Sequence, residues 1–124
     1  MLWIYVAVGG ALGSLARHEV GKAVARVSPT HVTPYATAFV NLTGCFVIGV
    51  LAGLVATHRV TMGPGVRAFL FVGILGGFTT FSSFGLDTFS LVHGGRPAYA
   101  LMNVLVQVVA GCALVAAGYF AAAR

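Results

Sequence analysis

The 124-residue chain has room for a single domain, and its composition excludes a water-soluble one. Hydrophobic residues make up 59% of the chain and charged residues only 7%, with a mean hydropathy of +0.98, whereas soluble domains carry about 25% charged residues. The net charge is +5, but the basic residues lie near the ends of apolar segments, as membrane-flanking charges do, rather than in a nucleic-acid-binding patch. We therefore predict an all-α integral membrane protein whose surroundings are the lipid bilayer.

Four apolar segments follow one another along the chain, and each reaches the about 20 residues that a membrane-spanning helix needs. We predict helices at about 2–24, 34–57, 64–91 and 97–123, which together form one transmembrane domain over residues 1–124. Pro34, Pro64 and Pro97 each suit the first turn of the helix that follows. Ser28 and Thr33 are candidate caps before the second helix.

The distribution of positive charge predicts little preference for one orientation in the membrane. Four spans place both chain ends on the same side. The basic residues would be Arg59, Arg67 and Arg124 on that side, and Arg17, Lys22, Arg26 and Arg96 on the other. Because a bias in Lys and Arg sets orientation, such an even distribution favours insertion both ways and an antiparallel homodimer. The first segment has no basic residue before Arg17, so we interpret it as a retained helix and not a signal peptide.

The third segment contains a stretch at residues 73–90, GILGGFTTFSSFGLDTFS, that does not favour a continuous helix. Gly73, Gly76 and Gly77 each cost about 1 kcal/mol relative to Ala in a helix interior. Thr and Ser residues follow at positions 79, 80, 82 and 83. Unpaired backbone groups are costly in a bilayer, so we predict a break near 76–80 that protein, water or an ion satisfies. Such a break at membrane depth suggests an ion or substrate site.

Several side chains around this stretch could contact a small anion, and each also has a purely structural interpretation. Phe81 and Phe84 share a helix face and could present their positive ring edges, or simply pack. Asn41, in the middle of the second segment, could donate to an anion or to another helix. Ser82 and Ser83 could supply hydroxyl donors or bond to helix carbonyls.

Polar residues elsewhere in the apolar segments leave similar alternatives open. Asn103 and Gln107 lie four residues apart and form a polar stripe that faces either a pore or another helix. Arg17 could attract anions to a vestibule or extend to the membrane interface, with Glu19 and Lys22 as possible partners.

The reactive residue types do not form a catalytic or metal-binding pattern. Asp87 is the only acid in the third segment; an intramembrane acid suggests proton coupling, although we favour a position near the exit, where water reaches it. Cys45 and Cys112 lack the spacing of a metal site, and we expect them to be buried as small hydrophobic residues. We predict that the chain is not an enzyme.

The motif GGFTTFSSF at residues 76–84 closely resembles the third-helix signature of the Fluc (CrcB) fluoride channels. Three further stretches are similar to the same family, so that the resemblance covers nearly the whole chain: GGALGSLAR (9–17), VNLTGCFVIGVL (40–51) and NVL (103–105). It implies four transmembrane helices per chain with a broken third helix, assembled as an antiparallel, dual-topology homodimer. It also implies passive, highly selective export of cytoplasmic fluoride across the cell (inner) membrane.

The resemblance further implies roles for particular residues. Phe81, Phe84 and Asn41 correspond to residues that line the fluoride path, and Ser82 and Ser83 to a polar track along it, although the family has Thr at the second of these two positions. Asn103 and Gln107 would continue the lining, although family members often carry a small hydroxyl residue in place of Gln107.

The family also implies one bound cation. Backbone carbonyls matching those of Gly76 and Thr79, contributed by both subunits, hold a structural Na⁺ at the dimer interface. Arg17 matches a family Arg near the end of the first helix. The alternative function is a proton-coupled small-molecule exporter of the small dimeric four-helix type, which requires an ionisable residue in the centre of a span; a structural subunit of a larger membrane complex is a third possibility.

Overall fold

The structure, a computed structural model, describes residues 1–27 and 33–124, and within these ranges it contains helices and no strand. The four helices are α1 (Leu2–Val27), α2 (Thr33–Ala56), α3 (Pro64–His93) and α4 (Pro97–Ala122). The largest difference from the predicted limits is at the end of α1, which continues to Val27 instead of ending near Val24. The candidate cap Ser28 and the side chain of Thr33 lie outside the described residues.

Three of the helices in the described part of the chain are long and apolar enough to cross a membrane. They are Pro34–Ala56, Pro64–His93 and Pro97–Ala122, with mean hydropathies of 2.2, 1.6 and 2.1. α1 has comparable length, but its C-terminal half carries Arg17, Glu19, Lys22 and Arg26. Its predicted role as a fourth span therefore stays a prediction.

α1 packs against the first part of α3 through glycines on both helices. A Cβ atom added to Gly9 would lie 2.6 Å from the carbonyl oxygen of Phe69 and 3.0 Å from the Cα of Gly73. A Cβ on Gly13 would overlap the carbonyl oxygen of Ile74. Small residues four apart allow this approach of two backbones where lipid removes the hydrophobic drive for association.

α2 packs in the same way against the C-terminal part of α4. A Cβ on Gly49 would overlap the carbonyl oxygen of Val115, and a Cβ on Gly118 that of Phe46. Outside these contacts most large apolar side chains stay exposed, among them Trp3 at 69% of its surface. An apolar exterior of this kind suits lipid or a partner chain rather than water.

Regular α-helical hydrogen bonding is interrupted in both α3 and α4. Thr79 (φ −83°, ψ 160°) and Thr80 (φ −153°, ψ 118°) have extended backbones between helical residues that end at Phe78 and begin again at Phe81. Two stretches are wound as π-helix, Ala68–Leu75 in α3 and Val106–Ala110 in α4. Nothing in the sequence predicted the π-helical winding, which is rare and often found at functional sites.

The expectation that both cysteines are buried is wrong. Cys45 on α2 is half-buried and Cys112 on α4 is exposed. The reason is that α4 meets α2 on the side that carries Gly111 rather than Cys112. Gly111 is buried there, and a Cβ added to it would lie 3.4 Å from the Cys45 sulfur, so the next residue, Cys112, points away from α2.

Candidate functional site

A cavity of about 380 Å³ lies where α2, α3 and α4 meet, beside the extended residues of α3. Both π-helical stretches contribute to its wall. Most of the predicted site residues are in its lining, which consists of Asn41, Gly44, Cys45, Ile48, Phe71, Leu75, Gly76, Thr79, Thr80, Phe81, Phe84, Gln107 and Val108. α2 and α4 bring the amides to this cavity, and α3 brings the hydroxyls of Thr79 and Thr80 and all of the aromatic rings.

The amide of Asn41 holds the extended backbone of Thr80. Its Nδ2 donates to the Thr80 carbonyl oxygen at 3.1 Å, and its Oδ1 accepts from the Thr80 N–H at 2.8 Å. Nδ2 also donates to Oε1 of Gln107 at 2.7 Å. A side-chain amide has two N–H donors, so both donors of Asn41 are used. The structure thus shows Asn41 hydrogen-bonded to two other helices, and its predicted role toward an anion stays a prediction.

From Asn41 a series of hydrogen bonds continues along α4 and returns to α3. Gln107 Nε2 donates to Asn103 Oδ1 at 2.9 Å, and Asn103 Nδ2 donates to Thr88 Oγ1 at 2.9 Å. Thr88 Oγ1 then donates to the carbonyl oxygen of Phe84 at 2.8 Å. Both residues of the polar stripe predicted on α4 bond to neighbouring side chains, and of the two Gln107 lines the cavity and Asn103 does not. Thr88 is a member that sequence reasoning missed, although a hydroxyl one helical turn beyond Phe84 was available as a signal.

The two serines gather around the hydroxyl of Thr80 and do not bond to helix carbonyls. Thr80 Oγ1 accepts from the Ser83 N–H at 3.2 Å, which caps the helical part that begins at Phe81, and donates to Ser83 Oγ at 3.1 Å. Thr80 Oγ1 also lies 3.2 Å from Ser82 Oγ. Since a hydroxyl has a single proton, Ser82 is the donor in that pair. These contacts leave the Ser83 proton without an acceptor among the described residues, and neither serine is in the cavity lining, although Thr80 is.

The two phenylalanines lie side by side at the cavity, as their spacing predicts. Their ring centroids are 5.4 Å apart and the ring planes are inclined at 46°. Phe84 is half-buried, whereas Phe81 is 83% exposed on the chain. A ring this exposed at a cavity wall is available to an ion or to a partner chain.

The backbone at Gly76 and Thr79 has features that suit a cation held by carbonyl oxygens. Gly76 is exposed, and Thr79 leaves the helical conformation. The Thr79 hydroxyl donates to the Leu75 carbonyl at 2.9 Å, and a Cβ on Gly44 would overlap the Thr79 methyl. Because Gly44 has no side chain, the Thr79 methyl can pack against α2 at this point.

One cationic side chain that sequence reasoning did not place at the site contacts a residue of the cavity lining. The guanidinium carbon of Arg67 lies 5.8 Å from the ring centroid of Phe71, a cation–π contact one helical turn apart. Arg17, the predicted vestibule charge, is half-buried on α1 and is not among the residues that line the cavity. Its expected partners bond to each other instead, with Lys22 Nζ 3.0 Å from Glu19 Oε1.

The expectation that water reaches Asp87 is wrong. The residue is only 7% exposed, and its Oδ2 is buried with no hydrogen-bond partner among the described residues. The reason is that this part of α3 packs against the start of α4, as the bond between Thr88 and Asn103 shows. Leu91, one turn further on, is equally buried.

Comparison with known proteins gives matches over almost the entire chain. A family model described as "CrcB-like protein, Camphor Resistance (CrcB)" matches residues 4–119. The chain is 43% identical to the fluoride-specific ion channel FluC of Methylobacillus flagellatus, over 92% of this chain and 88% of that protein. It is 47% identical to the FluC of Paracoccus denitrificans, over 94% and 90%, and 43% identical to that of Nitrobacter winogradskyi, over 95% and 94%.

Proposed function

This chain belongs to the CrcB family, and we propose that it is a passive, highly selective fluoride channel that exports cytoplasmic fluoride across the plasma membrane and so protects the cell from fluoride. It is a multi-pass membrane protein, and its curated relatives are ion channels rather than enzymes. The observation that carries the proposal is the cavity, because hydroxyls, amides and two phenylalanines meet there beside extended backbone.

The chemistry of the cavity is suited to fluoride. Fluoride is small and strongly hydrated, so a pore must replace its water with donors that still allow release. The proton of Ser83, whose hydroxyl is bonded to the lining residue Thr80, is one such donor, and the positive edges of Phe81 and Phe84 are others. Asn41 lies in the same lining, and its bonds to Thr80 keep the backbone there in place for the ion.

We infer that α3 is a broken span and that α1 completes a set of four spans. Thr79 and Thr80 support the first inference, because an extended segment of backbone survives within a bilayer only where protein or water satisfies its polar groups, and Asn41 bonds to both backbone groups of Thr80. The close packing of Gly9 and Gly13 on α3 supports the second, since it fixes the apolar part of α1 beside a membrane-spanning helix.

The partner of the chain, in this proposal, is a second copy in the opposite orientation. Phe81 and Gly76 are exposed although both line the cavity, so a second copy would cover them and close the ion path. The even distribution of positive charge on the two sides supports the antiparallel arrangement. A reporter fused to the C-terminus should then be found on both sides of the membrane, and a reporter confined to one side would contradict dual topology.

At this interface the carbonyl oxygens of Gly76 and Thr79 would hold Na⁺, with an equal pair from the second copy. Carbonyl oxygens suit hard cations, and the exposure of Gly76 together with the extended backbone of Thr79 fits such a donor set. When bound, the cation supplies positive charge that raises the local affinity for an anion.

A growth experiment tests the proposed function in cells. Bacteria that lack their own fluoride exporter should grow in fluoride when they produce this chain, and should not when they produce the Phe81→Ile variant at an equal level in the membrane. Absence of protection by wild-type protein that is present in the membrane would overturn the proposal.

A further inference from the structure

The cavity contains a second amide whose hydrogen bonds differ from those of Asn41 in one respect. Asn41 uses both of its N–H donors, on Thr80 and on Gln107. Gln107 Nε2 donates to Asn103 Oδ1, which uses one of its two N–H donors. Gln107 also lines the cavity and lies between the Asn41 and Asn103 amides, to each of which it is hydrogen-bonded.

The hydrogen bonds that pass through Gln107 all run in the same direction. Each side chain accepts from the preceding group and donates to the next, from the N–H of Thr80 through Asn41, Gln107 and Asn103 to the hydroxyl of Thr88. A side-chain amide can be turned end for end, which exchanges its donor and acceptor. In this series, turning one amide would place oxygen against oxygen and nitrogen against nitrogen, so the neighbours fix the orientation of each member.

We propose that Gln107 is a positioning residue of the fluoride path: its two hydrogen bonds fix the orientations of the Asn41 and Asn103 amides, and through Asn41 they hold the extended backbone of Thr80. The inference rests on the proposed function and deepens it, because it assigns to Gln107 the placing of the polar groups at that path.

Two substitutions of nearly equal length separate this role from simple packing. Gln107→Met fills similar space but can neither accept from Asn41 nor donate to Asn103. Gln107→Glu accepts from Asn41 in both of its protonation states, but it donates to Asn103 only when the introduced carboxyl is protonated. The protonated fraction of the introduced carboxyl rises as the pH falls from about 8 towards about 5.

The experiment measures fluoride release from liposomes that contain wild-type protein, Gln107→Met or Gln107→Glu, at a series of pH values. Protein-free liposomes correct for the leak of HF. At neutral pH both variants should release fluoride about tenfold more slowly than wild type, a loss of about 1.4 kcal/mol. On acidification, Gln107→Glu should recover relative to wild type and Gln107→Met should not.

The possible outcomes are distinct. Release by Gln107→Met at the wild-type rate, or a ratio of Gln107→Glu to wild type that does not change with pH, would overturn the positioning role while leaving the channel intact. Because Gln107→Glu is followed within a single reconstituted sample, absence of recovery on acidification overturns the positioning role even if Gln107→Met does not fold. Failure of the wild-type protein to release fluoride at any pH would instead overturn the proposed function, and this inference with it.

Discussion

Asn41 and Thr80 are joined by two hydrogen bonds that connect the middle of α2 to the extended part of α3. The amide nitrogen donates to the Thr80 carbonyl oxygen at 3.1 Å, and the amide oxygen accepts from the Thr80 N–H at 2.8 Å. Asn41 thus replaces the partners that a continuous helix would have given Thr80. An unsatisfied polar group in a low-dielectric interior costs about 1–3 kcal/mol, so the pair stabilises the interruption on which the cavity depends.

The first prediction concerns Asn41→Asp. The carboxylate still accepts from the Thr80 N–H, but it cannot donate to the Thr80 carbonyl or to Gln107, and it adds negative charge beside an anion path. Fluoride release from liposomes should fall at least about tenfold, which corresponds to about 1.4 kcal/mol. Thr43→Ser is the control, since Thr43 lies on the same helix outside the cavity lining. Wild-type release by Asn41→Asp would show that the Thr80 carbonyl does not need this donor.

The second prediction compares the two serines. Ser83→Ala removes the acceptor for the Thr80 hydroxyl together with the Ser83 proton, whereas Ser82→Ala removes one donor to Thr80. One hydrogen bond contributes about 1 kcal/mol, so fluoride release should slow about fivefold in Ser83→Ala and by less in Ser82→Ala. The measurement is release from liposomes with equal protein content. An equal loss in both variants, or a larger one in Ser82→Ala, would contradict the assigned direction of these hydrogen bonds.

The sequence was sufficient to predict features that depend on local pattern. Uninterrupted apolar segments beginning at Pro34, Pro64 and Pro97 place three helices within a few residues of where they lie. The spacing of Phe81 and Phe84 correctly predicts neighbouring rings. Features that depend on packing between distant segments could not be predicted in this way.

The hydrogen-bond partners of Asn41 are the clearest example of this limit. They lie 39 and 66 residues away in sequence, so their identity depends on how α2 meets α3 and α4. The same holds for the burial of Asp87, which follows from the start of α4 packing on α3. The π-helical stretches carry no composition that separates them from ordinary apolar helix.

The third prediction concerns the contact between α1 and α3. A Cβ on Gly13 would overlap the Ile74 carbonyl and lie 2.9 Å from the Phe78 nitrogen, whereas a Cβ on Gly10 meets no described atom within 4 Å. Gly13→Ala should destabilise the protein by about 1–3 kcal/mol because the backbones must move apart. Gly10→Ala, which adds the same methyl group, should be neutral or stabilising by up to about 1 kcal/mol. Thermal unfolding of both purified proteins in detergent tests this, and equal midpoints would contradict the packing argument.

The fourth prediction separates a passive channel from a proton-coupled exporter. Asp87 is buried, and its Oδ2 has no hydrogen-bond partner within the described residues. Asp87→Asn replaces this carboxyl with an amide of nearly equal size that cannot carry a proton in the same way. A passive path does not need a proton-carrying group, and fluoride release should stay within about threefold of wild type, less than 1 kcal/mol. Release is measured with and without an imposed pH gradient. Gradient-driven transport by wild type that disappears in Asp87→Asn would favour the exporter instead.

The most direct test of the central claim uses liposomes that contain only this purified protein. Fluoride release is followed with a fluoride electrode and compared with chloride release from matched liposomes. The account predicts fast release of fluoride, little release of chloride, and loss of fluoride release in Phe81→Ile, because that substitution removes the ring edge that faces the ion. Folded, dimeric wild-type protein that releases no fluoride, or that releases chloride equally fast, would contradict it.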